Sequence, residues 1–380
     1  LHVLNIIEKM CADREERFMK KRFLNGVFNR AAAAIIAASL TLGMTGCGST
    51  GAAGNTASSQ VSVAESSAVT TASAETQASG SSTEAGSSTA ASTETAGKPS
   101  KDRSGNEITV PDTINAIISL SPAETEMLCD LGLGDKIIAC DTYSPQYVTD
   151  LPDGIPQFDM MSPDCEKIVS LKPDIVFTSG MSSSDGTDAF ASVRQAGVCV
   201  ADIPSSSSIS GIQDDIKFVA SCVGEDEKGE KVVSDMQASI DEIAAIGKTS
   251  PADKQKTVLF EISGSPSIYS VGKDTYIDEM ISLIGAKNIL GDQESWISVT
   301  DEDAVAKNPD VILTGTDAEK DPVSSILALK GWENVNAVKN KEVYYIDNAS
   351  VMMPSEDIVK ALAQMAKAVY PDEYADLKTE

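Results

Sequence analysis

Residues 162–178 align without a gap on residues 298–314, an offset of 136, with Ser, Glu, Val, Pro, Asp and Thr matching in place. In each copy a capping residue, Asp164 or Thr300, opens a short helix. A Pro-Asp pair then closes the helix, and an apolar run that reads as a buried strand follows. Such a repeat predicts two similar folded units. Two units facing each other leave a cleft, which is a favoured place for a ligand.

The sequence around the repeat supports this. Strands are expected at 116–120, 136–140, 174–178 and 198–202, with helical patterns at 122–131, 165–171, 189–195 and 209–222 between them. From Asp226 to Ile246, Val232, Val233, Met236, Ile240 and Ile243 recur at helical spacing. Beyond it, strands are expected at 257–262, 267–271, 310–314 and 343–346, and helices at 276–284, 302–307, 323–329 and 356–370. Strand alternating with helix means a mostly parallel sheet covered on both faces. The expected fold class is α/β: two similar lobes, 105–223 and 255–380, joined by one long helix within 224–254, with the ligand cleft between lobes.

Ahead of the lobes the chain changes character. A basic stretch from Met19 to Arg30 precedes a 14-residue apolar run, 31–44, and then Thr45-Gly46-Cys47. The run is short for a membrane span and has the layout of a signal peptide, 19–46. Small residues before Cys47 resemble a bacterial lipobox, although Met44 stands where Leu is usual; this implies cleavage and lipidation at Cys47. Residues 1–18 do not fit a signal peptide and are expected to be a mis-called upstream start. Residues 48–97 are Ser, Thr, Ala or Gly at 40 of 50 positions, so 47–104 is expected to be a disordered tether. As a flexible coil the tract would span about 40 Å.

The formal net charge is −27. Residues 1–46 hold seven basic and four acidic side chains, so Cys47 onward has 23 basic against 53 acidic. So acidic a surface excludes nucleic acid and anionic lipid as partners. The single His is His2, which removes His-dependent catalysis and His-ligated metals from everything after it. No clustered catalytic set, C-x-x-C or phosphate-loop spacing is present. The reading is a non-enzymatic protein without a metal or cofactor of its own, expected to be a monomer. Cys129, Cys140 and Cys199 fall in strand or helix patterns and read as buried thiols.

Glu166 and Glu302 each lie two residues after a cap. Two readings stand: complements of the helix dipole, or a two-pronged acidic pattern for a partner's arginines. At the same offset Met160 and Trp296 precede those helices, and Trp296, in a polar segment, is a candidate cleft residue. Trp332 reads as core.

Leu120-Ser-Pro-Ala-Glu-Thr-Glu126, Glu166-Lys-Ile-Val-Ser-Leu-Lys-Pro-Asp174, Trp296 and Glu302 together resemble the substrate-binding proteins of ABC importers. The class is the one with a rigid interlobe helix, serving vitamin B12, ferric siderophores and haem. The likeness covers about 105–372, and Trp296-x-x-Val-x-x-Glu302 is most similar to the vitamin B12-binding member. The resemblance implies that Glu166 and Glu302 dock on the permease, which works with its ATPase subunits, and that Trp296 packs on ligand. It also aligns Tyr143 and Asp347 with ligand-contacting positions. Two residues depart from it: Met160 stands where the B12 binder has Trp, and Val351 where it has Arg near Pro354.

Ligand chemistry narrows the choice. After Cys47 the Arg residues are Arg103 and Arg194, few for an anionic ferric siderophore. Haem would want a His or Tyr ligand, and no His is available. A corrinoid, apolar at its rim and decorated with amides, suits Trp, Tyr and Met. The expected function is capture of a corrinoid by a lipid-anchored receptor on the outer face of the cell membrane. A ferric siderophore or other chelate is the alternative ligand, and an enzyme or adhesion lipoprotein on the same scaffold the alternative class.

Overall fold

In the first lobe β1 (Ile117–Ser119), β2 (Ile137–Asp141), β3 (Gln157–Phe158), β4 (Ile175–Thr178) and β5 (Cys199–Asp202) form one parallel sheet in the order β3-β2-β1-β4-β5. Ile117, Ile118, Ile175, Val176 and Phe177 are wholly buried. These strands read as continuous apolar runs because helices cover both sheet faces. The helices are α1 (Pro122–Asp130), α2 (Ser144–Tyr147), α3 (Cys165–Ser170), α4 (Ala191–Gln195) and α5 (Ile209–Val223). The computed structural model describes residues 97–377 except 184–186, 250 and 266. The expected leader, Cys47 and the tract up to residue 96 lie outside the described residues.

The chain crosses between lobes in α6 (Asp226–Gly247), 22 residues, which span about 33 Å. The second lobe has β6 (Thr257–Glu261), β8 (Lys287–Asn288), β10 (Val311–Thr314) and β11 (Val343–Tyr345) in the parallel order β11-β10-β6-β8. A separate antiparallel pair, β7 (Ser267–Val271) and β9 (Trp296–Thr300), stands beside it. The covering helices are α7 (Tyr276–Leu283), α8 (Asp301–Lys307), α9 (Pro322–Leu327), α10 (Asn336–Asn340), α11 (Asn348–Met352) and α12 (Ile358–Val369).

The repeat is carried down to single hydrogen bonds. Asp164 caps α3 by accepting from the Lys167 N–H at 3.0 Å, and Thr300 caps α8 by accepting from the Asp303 N–H at 3.2 Å. Lys172 and Asn308, 136 residues apart, end these helices in the left-handed region, at φ 53° and 51°. The Pro-Asp pairs do more than stop a helix. Asp174 Oδ2 accepts the N–H groups of Asn115 and Ala116 at 2.7 and 3.0 Å, at the head of β1. Asp310 Oδ2 likewise accepts the Thr257 N–H and hydroxyl at 3.0 and 2.8 Å, at the head of β6.

One hydrophobic core runs through both lobes. Ile216 and Val219 of α5, Met236, Ile240 and Ile243 of α6, and Leu362, Met365 and Val369 of α12 belong to it. Helix α6 approaches its neighbours too closely for side chains at two glycines. A Cβ on Gly229 would lie 2.4 Å from the Ala220 Cβ, and one on Gly247 would lie 2.1 Å from the Leu283 carbonyl oxygen. The long helix is thus keyed into the first lobe at one end and into the second at the other.

The first lobe begins before residue 105. The Lys98 ammonium donates to the Pro111 carbonyl at 2.5 Å, Asp102 Oδ2 accepts the Asp202 N–H at 3.1 Å, and the Arg103 N–H donates to the Asp202 carbonyl at 3.0 Å. Residues 98–104, read from sequence as tether, pack along the edge strand β5. Their polar composition hides this, because their partners are mostly backbone groups and carboxylates.

Candidate functional site

In the first sheet the strand order reverses between β1 and β4. The carboxyl ends of such strands border the crevice where ligands of open α/β sheets bind. Loops after β1, β4 and β5 supply Ser121, Ser179 and Ser206 to a cavity of about 170 Å³ at this point. Met160, after β3, completes that side, and Met352, Met353 and Pro354 close it from the second lobe. Met127 and Met181 also line it. Methionine gives adaptable, polarisable apolar contact.

Four of the exposed large hydrophobic side chains lie at strand ends on the same edges. Among the described residues the large hydrophobic ones left exposed are Tyr143, Met161, Met181, Tyr269 and Tyr345. Tyr143 follows β2, Met161 follows β3, Met181 follows β4, and Tyr345 ends β11. Large apolar groups gathered at one place, and not scattered, mark an interaction site. The Tyr345 hydroxyl donates to Asp317 Oδ1 at 2.7 Å. Burial, then the charge of Asp317 and the nearby Tyr143, push the Tyr147 hydroxyl above its usual range.

No basic side chain lines the cavity among the described residues. Arg103 Nε donates to Asp215 Oδ1 at 2.6 Å, and the Ser206 hydroxyl donates to Asp215 Oδ2 at 2.5 Å. Arg194 is paired with Asp188 on the surface. Glu124, 4% exposed, contributes a carboxyl that burial pushes up to about 7, against a hydrogen bond with Ser121 that lowers it.

The residues singled out from sequence fall in different places. Met160 lines the cavity. Tyr143 is on the rim, 50% exposed, its N–H held by Asp141 Oδ1 at 2.7 Å. Trp296 is half-buried in β9, stacked on Tyr269 at 6.5 Å between ring centroids and edge-on to Tyr276 at 6.0 Å. It is not among the cavity's lining residues. The carboxylate of Asp347 is committed to its own helix: Oδ2 accepts the Ser350 N–H at 2.9 Å and the Ser350 hydroxyl at 2.6 Å. Asp347 thus positions α11, whose end presents Met352. Glu166 and Glu302 are both exposed in the first turns of α3 and α8. Sequence reasoning did not single out Glu124, Met352 and Met353; the capping-box spacing of Ser121 and Glu124 was the available signal for the first.

Nucleophilic chemistry finds no support in the thiols. Cys129, Cys140, Cys165, Cys199 and Cys222 are unbridged, and burial pushes Cys140 up to about 12 and Cys199 to about 11. Thiols so shielded are inert. Among the described residues one group of carboxylates is close enough to hold a cation. Glu126, Asp130, Glu356 and Asp357 have oxygens within 4.8 Å of one another. Asp357 is already paired with Lys360 at 2.9 Å.

Known proteins share this architecture. Residues 117–349 match the model of the family described as periplasmic binding protein. An uncharacterised ABC transporter substrate-binding lipoprotein of Bacillus subtilis, YvrC, is 34% identical over 278 residues, 72% of this chain and 86% of that one. A vitamin B12-binding protein of Vibrio cholerae is 25% identical over 67% of this chain and 89% of its own. The crystal structure of a possible iron-binding (periplasmic solute-binding) protein from Staphylococcus epidermidis superposes with a TM-score of 0.60 at 28% identity, covering 68% of this chain and all of that one. Two parallel-sheeted lobes bridged by one helix, with a cleft at their strand ends, are therefore what the match describes: the chain belongs to the periplasmic binding protein family.

Proposed function

We propose that this chain is the receptor of an ABC importer and captures a corrinoid between its lobes. The observation that carries the ligand choice is the cleft itself: Tyr and Met side chains at the strand ends, with no basic side chain lining the cavity among the described residues. A large, amide-bearing, mainly apolar ligand suits such walls, whereas an anionic chelate would meet Glu124 and Asp215. The vitamin B12-binding relative supports the same ligand class. In this reading the receptor is not an enzyme, is held at the outer membrane face through lipidated Cys47, and presents its cargo to the permease through Glu166 and Glu302.

A ferric siderophore is the rival ligand, favoured by the possible iron-binding structure. Titration of the purified full-length chain with cyanocobalamin, read by calorimetry and visible absorbance, separates the two. Heat and a spectral shift are expected. Their absence, with a ferric siderophore binding instead, overturns the corrinoid choice.

A further inference from the structure

Glu124 is the third residue of α1 and lines the cleft cavity. With Ser121 at the cap, its spacing is that of a capping box, in which each side chain would satisfy a backbone N–H. The box is not closed here: the Ser121 side chain makes no cap bond. One Glu124 oxygen, Oε2, is shielded from solvent and has no hydrogen-bond partner. A buried acceptor left unpaired is costly, and more so for a carboxylate.

Neither neighbouring aspartate can relieve it. Asp215, on α5, is taken up by Arg103 and Ser206. Asp141, at the end of β2, is taken up by the Ser144 hydroxyl and by the N–H groups of Tyr143 and Ser144. Both aspartates add negative potential, and the rest of the wall is uncharged, mainly methionine, serine and proline. A cavity of about 170 Å³ is smaller than the range of roughly 300–1,000 Å³ that encloses a whole ligand. It is sized for one substituent, while the body of the ligand lies on the rim tyrosines.

We propose that Glu124 is the specificity-determining contact of the cleft, taking an amide N–H donor of the ligand, a primary amide in a corrinoid, and rejecting a carboxylate at that place. The inference rests on the cleft being the ligand site. An amide donor supplies the missing hydrogen bond without bringing a second negative charge beside Glu124, Asp141 and Asp215. A carboxylate ligand group would have to share a proton with Glu124, on one carboxyl or the other, or displace it, and that proton is lost as pH rises.

The test uses the full-length chain, wild type and Glu124→Gln, titrated with cyanocobalamin and with its monocarboxylate derivatives from about pH 6 to about pH 8. The wild type is expected to prefer the amide over at least one monocarboxylate by about ten-fold or more, and the preference should widen as pH rises. Glu124→Gln should narrow the preference and flatten its pH dependence, with thermal stability in mild acid unchanged. The same selectivity and pH profile in both proteins overturns the inference.

If no corrinoid binds, ferrichrome, a neutral amide-bearing chelate, is compared with polyanionic ferric enterobactin. Preference for ferrichrome that Glu124→Gln narrows defeats the corrinoid reading and sustains the Glu124 contact. Preference for enterobactin that Glu124→Gln leaves unchanged defeats the contact.

Discussion

Arg103 Nε lies 2.6 Å from Asp215 Oδ1, joining the segment that enters the first lobe to the helix that floors the cleft. The Asp215 side chain is 4% exposed and that of Arg103 is 32% exposed, so the carboxylate depends on the pair far more than the guanidinium does. Arg103→Ala leaves a buried charge with only Ser206 for support. The expected loss of stability is about 2–3 kcal/mol by urea unfolding. Adding Asp215→Asn should recover much of it, and a double-mutant cycle measures the coupling.

Stability should fall as pH rises from mild acid to mild alkali. Burial holds the carboxyls of Glu124 and Glu261 up at about 7, against an ordinary 4.5. Burial and the adjacent Asp130 hold that of Glu356 well above it. A group whose folded-state pKa is raised binds more protons folded than unfolded, so its contribution is full below pH 4.5 and is lost through pH 7. Glu124 and Glu261 each account for at most about 3 kcal/mol. Asp310 works in the opposite direction, its carboxyl lowered by hydrogen bonds from Thr257 and Asn336 in spite of burial. Its share is therefore lost only below the usual carboxylate range. Urea midpoints are expected to peak near pH 5 and decline toward pH 8, and Glu261→Gln should flatten the decline.

The close approaches of α6 give a steric prediction. Gly229→Ala and Gly247→Ala each force a methyl group into occupied space, and each should cost about 1–3 kcal/mol. Lys231→Ala on the exposed face of the same helix removes only a surface pair with Asp235 and should change stability by less than about 0.5 kcal/mol. Thermal unfolding of the three variants provides the comparison.

Glu166 and Glu302 separate binding from delivery. Both are exposed at the amino ends of equivalent helices, so replacing either with Ala should cost about 0.3–1 kcal/mol through the helix dipole. The double variant is expected to bind ligand with unchanged affinity and to lose uptake in cells expressing the cognate permease. Uptake at the wild-type rate would sink the docking assignment.

The periodicity of short apolar runs made the sheets and the long helix legible, because a doubly covered parallel strand and an amphipathic helix write unmistakable patterns. The 136-residue repeat also foretold equivalent caps at Asp164 and Thr300. Other features depend on tertiary placement. Trp296 stands in a polar segment that carries no strand signal, yet pairing of β9 with β7 lays the ring on Tyr269. Met353 and Pro354 follow a five-residue helix with no periodicity to announce it, and they share a cavity with Met160 only because the two lobes pack side by side. Alignment alone could not show that Asp347 Oδ2 serves Ser350 and so caps its own helix.

The core that continues through α5, α6 and α12 has a consequence for how the molecule melts. Two lobes built on separate sheets would ordinarily come apart as two events. Here Tyr374, wholly buried, places its hydroxyl 3.2 Å from the carbonyls of both Ile243 on α6 and Ile284 at the end of α7, fastening the second lobe to the helix whose other end packs in the first, so the two halves are expected to lose their packing together. A single calorimetric peak, with matching calorimetric and van't Hoff enthalpies, is the signature of such a shared interior.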